Sequence, residues 1–222
     1  MSTHSLDLCE FFVSISGEGS HAGSPAIFLR TAGCNLRCAW CDTSRAWGDG
    51  KRIERGKVLD AILAQLPRLV ILTGGEPLQQ TAIPWLAQEL IRVGRRVSVE
   101  TNGSLDIEML PPGAHVVLDI KAPSSGEMDK MDFDNLTRLR AGDDLKLIIA
   151  DRQDFDWACQ LLELRTPADG VNIFVSPAFQ LLEAATLASW LIESGLAARL
   201  QLQLHRYLWP EGGEAIPLPL PE

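Results

Sequence analysis

The chain has 222 residues, 46% of them apolar and 22% charged, with a formal net charge of −9 at neutral pH. That acidity excludes a broad electrostatic grip on nucleic acid, which needs clustered Lys and Arg. No apolar run approaches the ~20 residues that span a bilayer, and the opening Met1-Ser-Thr-His-Ser lacks the basic and hydrophobic stretches of a secretory signal, so no membrane partner and a cytoplasmic location are expected.

In chain order, short runs rich in Val and Ile predict strands at 26–31, 69–73, 97–101, 115–120, 145–150, 171–175 and 200–204. Between them, Val58, Leu59, Ile62, Leu63 and Leu66 follow helical spacing, as do Ile83, Leu86, Leu90 and Val93. Segments 155–164 and 181–194 also read as helices. The connection 102–113 is too short and Pro-rich for a full helix. Pro217, Pro219 and Pro221 keep the tail, 210–222, out of a helix or a central strand. Strand–helix alternation demands right-handed crossovers and a parallel sheet. A complete eightfold barrel typically takes about 250 residues. The expected fold is therefore α/β, an incomplete (β/α)6-type TIM-like barrel of mostly parallel strands. One domain is expected over 1–222, with its core at about 8–209. In such folds chemistry belongs at the C-terminal strand ends.

The polar motifs fall there. Directly after the strand at 26–31 stands Cys34-Asn-Leu-Arg-Cys38-Ala-Trp-Cys41. Thiols crowded in this way in a reducing compartment favour a metal site over disulfides. Three thiolates can hold three irons of a 4Fe–4S cube and leave the fourth iron open, whereas a closed zinc site or an electron-carrying ferredoxin centre wants a fourth ligand. Cys9 and Cys159 lie in apolar segments and read as small buried hydrophobes. Thr73-Gly74-Gly75-Glu76-Pro77 ends the strand at 69–73, its glycines allowing close backbone approach and Glu76 able to accept from an ammonium. Glu100-Thr101-Asn102-Gly103-Ser104 and Asp119-Ile120-Lys121 end the next two strands. Thr101, Asn102 and Ser104 read equally well as turn and cap residues.

The cysteine spacing on a post-strand loop, with aromatic Trp40 before the last thiol, resembles the radical S-adenosylmethionine family over most of the chain. The resemblance implies a 4Fe–4S cluster on Cys34, Cys38 and Cys41 and S-adenosylmethionine held by Trp40, Asp42, Gly74, Gly75, Glu76, Asp119, Lys121 and Ser176. It also implies a reducing electron donor such as flavodoxin or ferredoxin. Four further features narrow it: Asp42-Thr43 after Cys41, Phe12-Val-Ser-Ile-Ser-Gly-Glu-Gly19, Pro25-Ala-Ile-Phe-Leu-Arg30, and Leu204-His-Arg-Tyr-Leu-Trp209.

Together these resemble the 7-carboxy-7-deazaguanine synthases of queuosine and deazapurine biosynthesis, which convert 6-carboxy-5,6,7,8-tetrahydropterin with loss of ammonia. That narrower resemblance implies a Mg²⁺ ion on Thr43, pterin binding by Ile15, Ser16, Gly17, Glu18, Arg30 and Thr73, and a homodimer. Ser16 stands where many relatives carry Gln, and His205 reads equally as a pterin contact or a packing residue at a strand end. The competing classes are a glycyl-radical-enzyme activase, which generally carries His-Asn after the last cysteine, and a non-enzymatic iron–sulfur carrier.

Overall fold

The computed structural model describes residues 4–209 and 216–222. Its first element, β1 (Ser5–Ile15), buries Leu6, Leu8 and Phe11, and its register shifts at Cys9. That bulge breaks the apolar–polar alternation and hides the strand from sequence reading. β1 runs antiparallel to β2 (Pro25–Thr31) and to β3 (Lys51–Glu54).

From β2 onward the expected alternation holds. β4 (Leu69–Gly74), β5 (Arg96–Thr101), β6 (His115–Ile120), β7 (Asp144–Ile149) and β8 (Asn172–Pro177) extend the sheet from β2, each parallel to its neighbour. With β2 they make the six expected units. Leu69, Val70, Ile71 and Leu72 of β4 are at most 2% exposed, as strands covered on both faces should be. Each such side chain contributes about 1.5–3 kcal/mol on burial.

The helices cover the sheet through the spacings read from the sequence. α1 (Arg55–Leu63) buries Val58 and Ile62, α2 (Ile83–Arg92) buries Ile83, Leu86, Ala87 and Leu90, and α3 (Asn135–Arg138) is a single turn. α4 (Arg152–Leu164), capped by the Asp151 carboxylate accepting from the Asp154 N–H at 2.9 Å, buries Phe155, Ala158 and Leu162. α5 (Ala184–Ser194) buries only Leu187 and leaves Ile192 81% exposed. α1 stops short of Leu66, which is 94% exposed just before the helix-breaking Pro67.

One expected strand is corrected. In place of a strand at 200–204 the chain forms a two-residue β9 (Arg199–Leu200) and then a short helix, α6 (Leu204–Leu208). The cause is tertiary: the Leu204 N–H donates to the Gly17 carbonyl at 3.1 Å and the Gln203 amide donates to Glu18 at 2.8 Å, so the chain leaves the sheet to cross the loop after β1. His205 is thus helical, not at a strand end.

Residues 210–215 of the expected Pro-rich tail lie outside the described residues. Beyond them, β10 (Ile216–Pro217) pairs antiparallel with β1 at the sheet edge, where a proline's missing N–H costs least. Among the described residues the order is β10-β1-β2-β4-β5-β6-β7-β8-β9. The path does not return on itself, so the sheet is an unclosed barrel.

The connection 102–113 forms only a 3-10 turn, Ile107–Met109, as its length and prolines require. Its backbone groups are satisfied instead by Asn135, fully buried, which donates to the carbonyls of Gly103 (3.2 Å) and Leu105 (2.8 Å) and accepts from the Ile107 N–H (3.2 Å). Asn135→Leu keeps the volume and strands these groups. A loss of about 1–3 kcal/mol is expected, read as a lower urea midpoint with unchanged slope.

Candidate functional site

The strand ends converge on a cavity of about 870 Å³, lined by residues from β2, β4, β5, β6, β7 and β8, by the cysteine loop and by α6. All three thiols of the loop line it. The loop is held by its own backbone. The Gly75 N–H donates to the Thr31 carbonyl (3.2 Å), the Glu76 N–H to Gly33 (2.9 Å) and the Ala39 N–H to Ser125 (3.0 Å). Any Cβ on Gly75 would stand 2.2 Å from the Gly33 carbonyl oxygen, and one on Gly74 would stand 2.1 Å from the Thr31 hydroxyl. The two glycines therefore seat the turn after β4 directly on the start of the cysteine loop. Trp40 is fixed by its indole N–H donating to Ser124 Oγ at 3.0 Å, which in turn donates to buried Asp154 at 2.5 Å.

Burial pushes the Cys34 thiol up, and it pushes Cys38 up to about 11. At both positions burial disfavours the thiolate that a metal ion needs as its ligand, so metal binding there would release a proton. Among the described residues no three His, Cys, Asp or Glu side chains are grouped to hold a single ion. Cys9 lines the same cavity from the β1 bulge, its thiol directed at the carbonyls of Arg30 (3.5 Å) and Thr31 (3.6 Å). Cys159 is on α4, half-buried and away from the cavity.

Of the other expected residues, Ile15, Gly17, Glu18, Arg30, Trp40, Asp42, Thr43, Thr73, Gly74, Gly75, Asp119, Lys121 and Ser176 line the cavity. Ser16 and Glu76 do not. Ser16 is 2% exposed, and its hydroxyl donates to the Glu18 carbonyl at 3.2 Å, closing the loop between β1 and β2. Glu76 is fully buried behind the wall. It accepts from the Leu78 N–H (2.9 Å), the Thr101 hydroxyl (2.8 Å) and the Asn102 N–H (2.7 Å), and burial raises its carboxyl to about 7 against these bonds.

Arg30 is tied through Nε to Glu10 at 2.6 Å. Thr43 donates to Asp42 Oδ1 at 2.8 Å, and this leaves its oxygen lone pairs free beside a carboxylate. Burial opposes the Asp42 charge, yet the Thr43 hydroxyl and the cations Lys146, Arg206 and Arg30 hold its carboxyl below the usual range. Ser176 Oγ is buried with no partner, a polar atom that a ligand would satisfy.

Several lining residues escaped sequence reading. Glu100, named only as part of a strand-end motif, stands one residue before the end of β5; Gln203 and Arg206 lie on either side of His205, whose ring packs so closely that a Cβ on Gly17 would stand 2.5 Å from its Nδ1. The most consequential is Lys146. Only 8% exposed, it reaches Glu18 Oε2 at 2.8 Å and Asp119 Oδ2 at 3.1 Å. On the other side Lys121 Nζ lies 2.9 Å from Asp119 Oδ1, at ion-pair distance but without hydrogen-bond alignment, and 5.4 Å from the Trp40 ring centre. Burial works against the Asp119 charge, yet Lys121 and Lys146 hold its carboxyl below the usual range. The signal that would have found Lys146 is a lone cation inside the apolar run Leu145-Lys-Leu-Ile-Ile149.

Residues 28–127 match the model of the Radical SAM superfamily. A 7-carboxy-7-deazaguanine synthase of Methanospirillum hungatei is 36% identical over 204 residues, covering 91% of this chain and 85% of the relative. One of Chlorobaculum tepidum is 37% identical over 213 residues, covering 94% and 97%. Among solved structures, QueE from Escherichia coli superposes with a TM-score of 0.70 at 23% identity, covering 89% of this chain and 94% of that one, a likeness of fold.

The position of Glu76 allows a test of its packing role apart from any ligand. In Glu76→Gln an amide NH₂ must face a backbone N–H or the Thr101 hydroxyl. Expected in the cluster-free chain is a loss of about 1–3 kcal/mol in urea unfolding. The native carboxyl, raised from 4.5 to about 7, binds more protons folded than unfolded. Its contribution is therefore fully present below the unfolded value and is lost as pH rises through about 7. That part of the slope should vanish in Glu76→Gln.

Proposed function

Because the chain belongs to the family of the 7-carboxy-7-deazaguanine synthases, radical S-adenosylmethionine enzymes, we propose that it converts 6-carboxy-5,6,7,8-tetrahydropterin to 7-carboxy-7-deazaguanine with loss of ammonia, in queuosine or deazapurine biosynthesis. One observation carries the reading at the level of residues. A single cavity is lined by the three thiols, by the acid and base at the end of β6, and by Glu18, Arg30 and Thr43 on the opposite strands and loops.

Cys34, Cys38 and Cys41 would hold a 4Fe–4S cluster. Trp40, Asp42, Gly74, Gly75, Asp119, Lys121 and Ser176 would bind S-adenosylmethionine. The unpartnered Ser176 hydroxyl fits this assignment, since it is a buried polar atom that a ligand would satisfy. Glu76 would act from behind the wall, holding the Asn102 N–H and the Thr101 hydroxyl of the next strand end in place beside the ligand. When bound, cluster and S-adenosylmethionine together supply hydrogen-abstraction chemistry.

The chain's own residues orient the pterin and exclude water. Glu18 offers an anion to the ring N–H groups, Arg30 its planar fork to the carboxylate, Thr73 a hydroxyl, and Gly17 a floor without a side chain. Ile15 and the Ser16 loop shape that end. Thr43, with its lone pairs free beside Asp42, would offer a hard oxygen ligand to a Mg²⁺ ion, which would supply positive charge for the substrate carboxylate. A flavodoxin- or ferredoxin-type donor would supply electrons. A homodimer would cover part of the apolar surface that α5 leaves exposed. The activase and carrier alternatives have no observation in their favour.

Anaerobic incubation of cluster-loaded protein with the pterin, S-adenosylmethionine and a reductant should yield the deazaguanine, identified by mass; no product from the native chain would end this reading. Cys38→Ala should lose the cluster absorbance and cofactor cleavage together, while Cys9→Ala and Cys159→Ala keep both. Removing Mg²⁺ should slow the native protein sharply, with small misplacement worth roughly a hundredfold. Thr43→Ala should blunt that metal response, and full-rate turnover without metal would remove Thr43 from the role.

A further inference from the structure

The Lys146 ammonium, on the inner face of β7, is shared between two acids that reach it from different parts of the fold. Glu18 comes from the loop between β1 and β2, and Asp119 from the end of β6. Each acid has a second holder: Gln203 donates to Glu18 Oε1 at 2.8 Å, and Lys121 lies 2.9 Å from Asp119 Oδ1. Under the proposed function, on which this inference rests, Asp119 faces the cofactor and Glu18 faces the pterin. Lys146 is paired with both.

We infer that Lys146 is a positioning residue that couples occupancy of the two halves of the cavity. In the empty cavity its charge is divided, at 2.8 Å from one carboxylate and 3.1 Å from the other. A hydroxyl donated to Asp119 by a bound cofactor takes over part of the lysine's work there. The ammonium then settles on Glu18 and holds that carboxylate as a fixed anion for the pterin N–H groups. Ordering the shared side chain once serves both ligands, so the second to bind meets a site already arranged. Linkage requires the effect to be reciprocal. Glu100, half-buried on β5, adds to the field that keeps Lys146 charged.

The test is binding without turnover. S-adenosylmethionine is titrated calorimetrically into cluster-loaded, unreduced protein with and without saturating 6-carboxytetrahydropterin. In the native chain the pterin should tighten cofactor binding by at least about fivefold, the lower end of usual coupling. Lys146→Met, which keeps the volume and loses the charge, should bring the ratio to about one with the cluster absorbance unchanged, and Lys146→Arg should restore most of it. A merely structural lysine would change single affinities and leave their ratio alone. If Lys146→Met fails to fold, Glu18→Gln should erase the ratio in its place. A native chain that binds both ligands without coupling, or a Met or Gln variant that keeps the native ratio, overturns the inference. A native chain that binds no pterin would instead sink the functional reading beneath it.

Discussion

The site depends first on a backbone contact between two neighbouring parallel strands. The turn after β4 and the loop after β2 meet so closely that neither Gly74 nor Gly75 has room for a Cβ, and the amides of Gly75 and Glu76 donate into the carbonyls of Thr31 and Gly33. The three thiols of the loop follow from Gly33 onward. Because the contact is made by main chain, the cysteine loop starts from a fixed point, independent of side-chain rotamers. Glu76 then carries the same brace one strand further by taking the Thr101 hydroxyl and the Asn102 N–H, so three strand ends are locked before any ligand arrives.

On this frame the fold collects charge where a parallel sheet can tolerate it. Buried ions need partners, and isolated pairs often recover little more than their desolvation cost. Here Glu18, Lys146, Asp119 and Lys121 alternate in sign across the cavity, each within 3.1 Å of the next. Such a chain is weak evidence for stability. Its value lies in arrangement: carboxylates and ammoniums stand preformed toward a space meant for polar ligands, which spares the reorganisation that loose side chains would impose on binding.

The parallel core was legible because each strand is a short β-branched run ending in a polar cluster, and the cysteine spacing with the Gly-Gly-Glu turn pointed to the strand ends where the cavity lies. Other features were hidden for identifiable reasons. The bulge at Cys9 broke the period of β1. Leu200-Gln-Leu-Gln-Leu204 alternates as a strand should, yet bonds from Gln203 and Leu204 to the loop after β1 draw the chain out of the sheet, a tertiary demand that overrides the local pattern. Lys146 went unread because one lysine in an apolar strand looks like a solvent-facing position until the fold shows that the position faces inward. Glu76 was visible as a motif residue, but only the structure shows its carboxylate already engaged behind the wall.

The pairing of β10 with β1 matters for how the protein is handled. Pro217, Leu218 and Leu220 line the cavity, and the Leu218 N–H donates to the Phe11 carbonyl at 2.9 Å. The segment from 216 to 222 is thus part of the vessel wall and also the cover on an otherwise open strand edge. A purification tag or fluorescent fusion placed after Glu222 would be tethered close to this wall. Trimming the segment would uncover β1 as a template for strand addition between molecules. Labels and immobilisation handles belong away from this segment.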